Sequence, residues 1–174
     1  MVGHKKLVEE LRRTLREVAE EKSADKWIPV IGGLLFPITI VVSLLDLAAR
    51  NWTYNLPVGI TGVAMLTAGL TLYAASRKFL GRFYSEAVKI VPDHRFITDG
   101  PYRMIRHPMY LSEIVFGLSI PMIFDSLLGL FIMLVPIPLI LLRIRFEEGV
   151  LVSRFGQEYL EYSRRTKKLI PYIY

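Results

Sequence analysis

Cysteine is missing from all 174 residues, and its absence excludes disulfides, thiolate catalysis and cysteine-ligated zinc. No G-x-G-x-x-G occurs anywhere in the chain. With no alternation of strands and helices either, the usual nucleotide-binding α/β methyltransferase domain is excluded by both pattern and motif. Internal repeats, low-complexity tracts and recognised nucleic-acid motifs are absent as well. Charge is missing where it is most telling: Trp27 to Ala49 holds Asp46 as its one charged side chain, and Leu56 to Ser76 holds none.

What is present is apolar. Hydrophobic residues make up 52% of the chain and the mean hydropathy is +0.38, too high for an ordinary soluble domain. The two charge-poor runs, 27–49 and 56–76, are each long enough to cross about 30 Å of hydrocarbon at about 1.5 Å per residue. Two further runs, 109–124 and 126–142, meet at Asp125 and read as a helical hairpin of tilted or locally buried spans. The expected fold is an all-α polytopic membrane bundle of about four transmembrane helices whose last two form the hairpin. Pro29, Pro37, Pro121, Pro136 and Pro138 are compatible with it and predict kinks, because neighbouring helices can satisfy the freed carbonyls.

Basic residues set the expected orientation. Lys and Arg number seven before Trp27, one between the first two runs (Arg50), seven from Arg77 to Arg106, none at the Asp125 turn and seven from Arg143 onward. With four crossings the three basic segments share one side, which the positive-inside rule makes cytoplasmic, termini included. The net charge of +6 then serves anionic lipid headgroups and not nucleic acid. A cleavable leader is not expected, since the first apolar run begins after a charged segment of 26 residues.

Residues 1–26 form one expected unit, an amphipathic cytoplasmic helix with Leu7, Leu11, Leu15 and Val18 as a narrow stripe. That stripe suits an interfacial helix on the inner leaflet, a helix packed on the protein's own cytoplasmic face, or a short coiled-coil seam. Residues 27–174 form the second unit. Small residues at Gly62, Ala64, Ala68, Gly69 and Ala74 offer close helix contact. After the fourth run, Ile144, Leu151, Phe155, Tyr159 and Tyr162 mark a C-terminal cytoplasmic helix, with Gly156 placed to bend it and Pro171 beyond its end.

The polar chemistry is concentrated in two cytoplasmic segments. One is Gly100-Pro101-Tyr102-Arg103-Met104-Ile105-Arg106-His107-Pro108-Met109-Tyr110, with His94-Arg95-Phe96-Ile97 upstream; the other is Arg143-Ile144-Arg145-Phe146-Glu147-Glu148. In this order and spacing they resemble the isoprenylcysteine carboxyl methyltransferase family and its prokaryotic relatives, over Arg82 to Pro171. The resemblance implies a small integral-membrane enzyme that uses S-adenosylmethionine and methylates a lipophilic or lipid-anchored acceptor entering from the bilayer, by carboxyl methylation. It places the cofactor site in 82–110 and 143–171, lined by His94, Arg95, Phe96, Ile97, Tyr102, His107, Pro108, Met109 and Tyr110. By the same resemblance Arg143 contacts the acceptor and Glu147 the donor, and Arg106 joins them as a catalytic candidate.

Taken singly, these residues have plainer readings. His94 suits an exposed loop, and Arg106-His107 suits headgroup anchoring before a helix that Pro108 can start. Arg143 and Glu147, four apart, suit a surface ion pair worth about 0.3 to 0.5 kcal/mol. Glu148, next to Glu147, is expected to point elsewhere, and Phe155-Gly156-x-x-Tyr159-x-x-Tyr162 to pack over the pocket. Glu113 faces either a cavity or the headgroup level, and Ser112 stands where the family's common pattern has glycine. The neighbouring alternatives are a phospholipid amine methyltransferase, a membrane reductase using NADPH, and a non-enzymatic scaffold.

Overall fold

The computed structural model describes residues 30–81 and 97–171. The expected amphipathic helix of 1–26, most of the loop before Ile97, and His94, Arg95 and Phe96 therefore lie outside the described residues. Within them the chain forms helix α1 (Val30–Ala49), α2 (Leu56–Leu80), a 3-10 turn (Gly100–Arg103), α3 (Pro108–Ile123), α4 (Leu127–Leu134), α5 (Pro136–Phe155) and α6 (Gln157–Arg165).

Three helical stretches are long and apolar enough to cross a membrane: Val30–Ala49, Leu56–Leu80 and the combined Leu127–Phe155. Pro108–Ile123 is apolar but shorter, about 24 Å at about 1.5 Å per residue. Of the about four spans expected, three are thus long apolar stretches, and the run at 109–124 is an apolar helix shorter than those. α3 is held to this length because Pro108 opens it and the turn through Asp125, with φ 52°, closes it. Ser126 then caps α4 by accepting from the Gly129 amide at 3.0 Å. Pro136 supplies the expected interruption, separating α4 from α5 at Val135.

The interior is small and weakly polar, and the outside is oily. Thr39, Ser43, Ser76, Ser112 and Ser119 are among the most completely buried side chains, whereas Leu34, Leu45, Ile60, Leu127 and Phe131 are exposed. Such an inversion suits hydrocarbon as the solvent, where helices gain by close approach and not by sequestering leucine. Apart from Ser43, these buried hydroxyls donate to their own helix, as in Thr39 to Leu35 O at 2.8 Å and Ser119 to Phe116 O at 2.6 Å.

α2 and α3 run antiparallel with backbones nearly touching. A β-carbon on Gly62 would lie 2.5 Å from Ile123 N, and one on Gly69 3.1 Å from Phe116 N. Of the five small residues expected at helix contacts, Gly62 and Gly69 are buried here, while Ala64, Ala68 and Ala74 face outward. Ser112 belongs to the same seam, its carbonyl 3.3 Å from the Gly69 β-carbon position. The departure from glycine at Ser112 therefore bears on α2 packing. α1 completes the bundle by stacking Phe36 on Phe116 at 5.3 Å.

Gly62→Ala tests this seam, since α3 backbone has no side-chain freedom with which to yield. Overpacking should cost about 1–3 kcal/mol, read as a lower unfolding temperature in detergent, whereas Gly33→Ala, which meets nothing within 4 Å, should not lower it. Equal melting of Gly62→Ala and the wild type would contradict the close approach.

At the far end of the bundle Arg50 joins the two loops. Its guanidinium donates to Asp125 Oδ2 at 3.1 Å and to the Asp125 carbonyl, while the same carboxylate accepts from the Asn55 amide at 3.0 Å. Tyr54 adds a bond to Ile123 O at 2.8 Å. The α1–α2 loop and the hairpin turn are thus tied together.

Candidate active site

The site forms where the chain entering α3 meets the end of α5 and the segment after α6. Residues 104–107 and 166–169 lie side by side like a single pair of strand rungs. The Arg106 amide donates to Lys167 O at 2.8 Å, the His107 amide to Lys168 O at 3.1 Å, and the Lys167 amide to Met104 O at 3.1 Å. Leu169 follows into the apolar cluster of Ile140 and Ile144, against which Tyr110, Leu111 and Ile114 also pack. Gly156, at φ 54°, ends α5 and turns the chain into α6, the bend expected at this glycine.

Glu148 is the hub of the polar cluster. Its Oε1 accepts from Arg106 Nε at 2.7 Å, and its Oε2 lies 2.9 Å from Lys168 Nζ. His107 Nε2 stands 3.5 Å from the same carboxylate and His107 Nδ1 stands 3.7 Å from Glu147 Oε2. Arg106 Nη1 donates to backbone, at 2.9 Å to Ser163 O and 2.6 Å to Thr166 O. Those carbonyls lie at the end of α6, where intrahelical donors run out and a cation is favoured. Arg106 is thus placed as a structural clamp between α5, α6 and the tail.

Arg143 occupies the membrane side of this cluster. Its guanidinium carbon sits 5.7 Å above the Tyr110 ring, a cation–π arrangement that Arg makes better than Lys. The Tyr110 ring in turn lies 5.7 Å from His107. Tyr102 is buried below Tyr162, whose hydroxyl donates to Tyr102 O at 2.7 Å. Burial pushes the Tyr102 phenol well above its ordinary pKa, with the Glu147 charge adding to it. Burial likewise raises Tyr159, assisted by Glu148, and pushes Tyr162 up to about 12. All three stay neutral and serve as walls and hydrogen-bonding groups.

Of the residues expected at the site, Tyr102, Arg106, His107, Pro108, Met109, Tyr110, Arg143 and Glu147 are gathered around the start of α3 and the middle of α5. Ile97 is half-buried ahead of the 3-10 turn; His94, Arg95 and Phe96 are outside the described residues. Glu148 and Lys168 escaped the sequence reading. Glu148 was expected to point elsewhere, and it points away from Glu147 into the Arg106 cluster. Its signal, a carboxylate with an arginine 42 positions upstream and Lys168 twenty positions downstream, is a long-range charge match that helical spacing does not reveal. Tyr159 and Tyr162, expected to pack over the pocket, lie with their rings 5.8 Å apart. Outside them an open cleft of about 590 Å³ runs between Asp99, Arg103 and the α6 residues Glu158, Glu161 and Arg165.

Two buried atoms in this cluster, His107 Nε2 and Glu147 Oε2, have no hydrogen-bond partner. Buried polar atoms are normally satisfied; Glu148 Oε1 already faces His107 Nε2 at 3.5 Å, so what fits the place is a donor facing Glu147. S-adenosylmethionine offers one in its ammonium, and the tyrosines offer apolar faces to the remainder. The residues present fit that cofactor.

Comparison with known proteins agrees. The model of the isoprenylcysteine carboxyl methyltransferase (ICMT) family matches residues 59–153. A "Protein-S-isoprenylcysteine O-methyltransferase" of Schizosaccharomyces pombe is 32% identical over 120 residues, 65% of this chain and 49% of that protein. The "Cobalt-zinc-cadmium resistance protein CzcN" of Cupriavidus metallidurans is 29% identical over 144 residues, covering 77% of this chain and 60% of that one. Among solved structures, the eukaryotic intramembrane Ras methyltransferase ICMT superposes with a TM-score of 0.70 at 23% identity, over 79% of this chain and 52% of the other. The chain thus spans about half to three-fifths of the length of these relatives. Since the family match runs through α2, α3 and α5 and includes more than half of the residues, this integral membrane protein belongs to the ICMT family.

Proposed function

We propose that the chain is a methyltransferase that takes S-adenosylmethionine, the family's methyl donor, on its cytoplasmic side and methylates the carboxylate of a lipophilic acceptor arriving from the bilayer. The observation that supports it most directly is the buried Glu147 carboxylate oxygen without a hydrogen-bond partner, one turn from Arg143 on the same helix. Bound there, the donor supplies a methyl carbon already activated by its sulfonium, so an attacking carboxylate needs no general base and no proton changes hands.

The chain's work is therefore positioning. Glu147 accepts the donor's ammonium, and His107, Tyr102, Met109 and Tyr110 line its pocket. Arg143 takes the acceptor carboxylate and aims it, a task suited to a fixed two-pronged guanidinium. The Tyr110 ring beneath Arg143 keeps it from swinging out to water. Arg106, Glu148 and Lys168 hold α5 to the tail so that these groups keep their spacing.

In this reading α3 and the α4–α5 stretch both cross, giving four crossings with both termini cytoplasmic and the Arg50–Asp125 junction on the opposite side. Basic residues at the cytoplasmic surface attract anionic headgroups. S-adenosylmethionine and S-adenosylhomocysteine should bind the detergent-purified protein and raise its unfolding temperature by mass action, and NADPH should not. Calorimetry with folded protein that shows heat for NADPH and none for either sulfur compound would exchange this reading for the reductase one.

A further inference from the structure

The open cleft of about 590 Å³ outside the tyrosines takes no part in the positioning of donor and acceptor described above. Both of its walls are charged. Asp99 and Arg103 stand at the two ends of the 3-10 turn, and Glu158, Glu161 and Arg165 face them from α6. All five are exposed, and none of them forms an ion pair or a side-chain hydrogen bond with another described residue. Glu158 and Glu161, three apart, share one face of α6. Three carboxylates thus meet two guanidiniums in the cleft, on a chain whose net charge is +6. The floor of the cleft is continuous with the site. Tyr162 and Thr166 line it; the Tyr162 hydroxyl donates to Tyr102 O, and Thr166 O accepts from Arg106, whose Nε reaches Glu148. Glu148 follows Arg143 on α5 by about 7.5 Å of helix at about 1.5 Å per residue.

An acceptor with its carboxylate at Arg143 therefore has a polar trough within a few extended residues, at about 3.3–3.6 Å each. A lipid tail has no place between charged walls, and an anionic headgroup would meet the three carboxylates. A polypeptide suits both walls: its carbonyls accept from Arg103 and Arg165, and a basic side chain fits between Asp99 and the Glu158–Glu161 face. We propose, resting on the lipophilic acceptor argued above, that this cleft is the docking surface for a polypeptide segment attached to that acceptor, and that Glu158 and Glu161 favour segments carrying lysine. Charge complementarity of this exposed kind sets partner preference and encounter more than the chemical step, so the effect belongs in KM.

The test compares S-farnesylated peptides ending in the lipidated cysteine and differing only in a pair of positions about five residues before it, filled with lysine, serine or glutamate. The full-length protein is used in uncharged detergent, and N-acetyl-S-farnesylcysteine serves as the acceptor without a peptide. At low salt the wild type should favour the lysine peptide over the glutamate one by about fivefold or more in kcat/KM, with the difference in KM, and the ratio should shrink as salt screens the charges. The overall charge of +6 acting alone would give the opposite order, so the sign is decisive. Glu158→Gln combined with Glu161→Gln should remove the lysine preference while turnover of N-acetyl-S-farnesylcysteine and affinity for S-adenosylhomocysteine stay at wild-type values. A wild type without a preference, or with one for glutamate, overturns the inference, and so does a lysine preference that the double variant keeps; in each case continued methylation of N-acetyl-S-farnesylcysteine leaves the acceptor class standing. Turnover of none of these acceptors, with S-adenosylhomocysteine still bound, overturns the acceptor class itself and this inference with it.

Discussion

Glu148→Ala is expected to cost about 3–5 kcal/mol, the usual penalty for removing one partner from a buried ion pair. The magnitude follows from what it strands. Arg106 has 10% of its side chain exposed and Lys168 22%, and both lose their carboxylate at once. Arg106 keeps its bonds to Ser163 O and Thr166 O, which satisfy hydrogens and leave the charge uncompensated. Against a total stability of about 5–15 kcal/mol the loss should be visible as a large fall in unfolding temperature. Lys168→Met removes the more exposed cation and should cost less. The sharper measurement is a cycle of Arg106→Met, Glu148→Leu and the double variant. If the pair is a coupled anchor, the double variant is more stable than the sum of the singles predicts by about 1 kcal/mol or more. Strict additivity would mean that α5 and the tail are held together by the Leu169 packing and the backbone rungs alone.

Such an anchor also explains what could and could not be read from residues in order. The span positions were legible because charge is excluded from each run, and lipid imposes that exclusion directly on composition. The polar segments were legible through their local clustering. The bend at Gly156 and the hairpin at Asp125 announced themselves as a glycine and a lone charge between apolar runs. Contacts across the fold were not legible. Arg50 to Asp125 spans 75 positions and Arg106 to Glu148 spans 42, and no periodicity connects them. For the same reason the exposed alanines of α2 could not be told from Gly62 and Gly69. All five are small, and their sorting depends on which face α3 approaches. Glu148 is the instructive case, because neighbours on a helix diverge by about 100°; the sequence set Glu147 and Glu148 apart without saying that both faces are in use.

Arg143 and Glu147, one turn apart on the same face of α5, carry different expectations. If Arg143 aims an anionic acceptor, Arg143→Ala should abolish turnover while largely retaining donor binding, because in that reading Glu147 and not Arg143 holds the donor. Lysine should rescue poorly, since a point charge neither stacks on Tyr110 nor offers two parallel donors. Glu147→Ala should weaken donor binding itself. Losing a charge-assisted hydrogen bond at a desolvated place costs about 1.5–3 kcal/mol, or about 10- to 150-fold in affinity at about 1.4 kcal/mol per decade. An exposed pair four residues apart on a helix would give about 0.3–0.5 kcal/mol for either change, a factor of about two, so the outcomes do not overlap. Titration of S-adenosylhomocysteine and single-turnover methylation, run on both variants and on Arg143→Lys, separate the roles: near-normal values in all three would reduce the pair to surface charge and leave the buried Glu147 oxygen without a ligand to explain it.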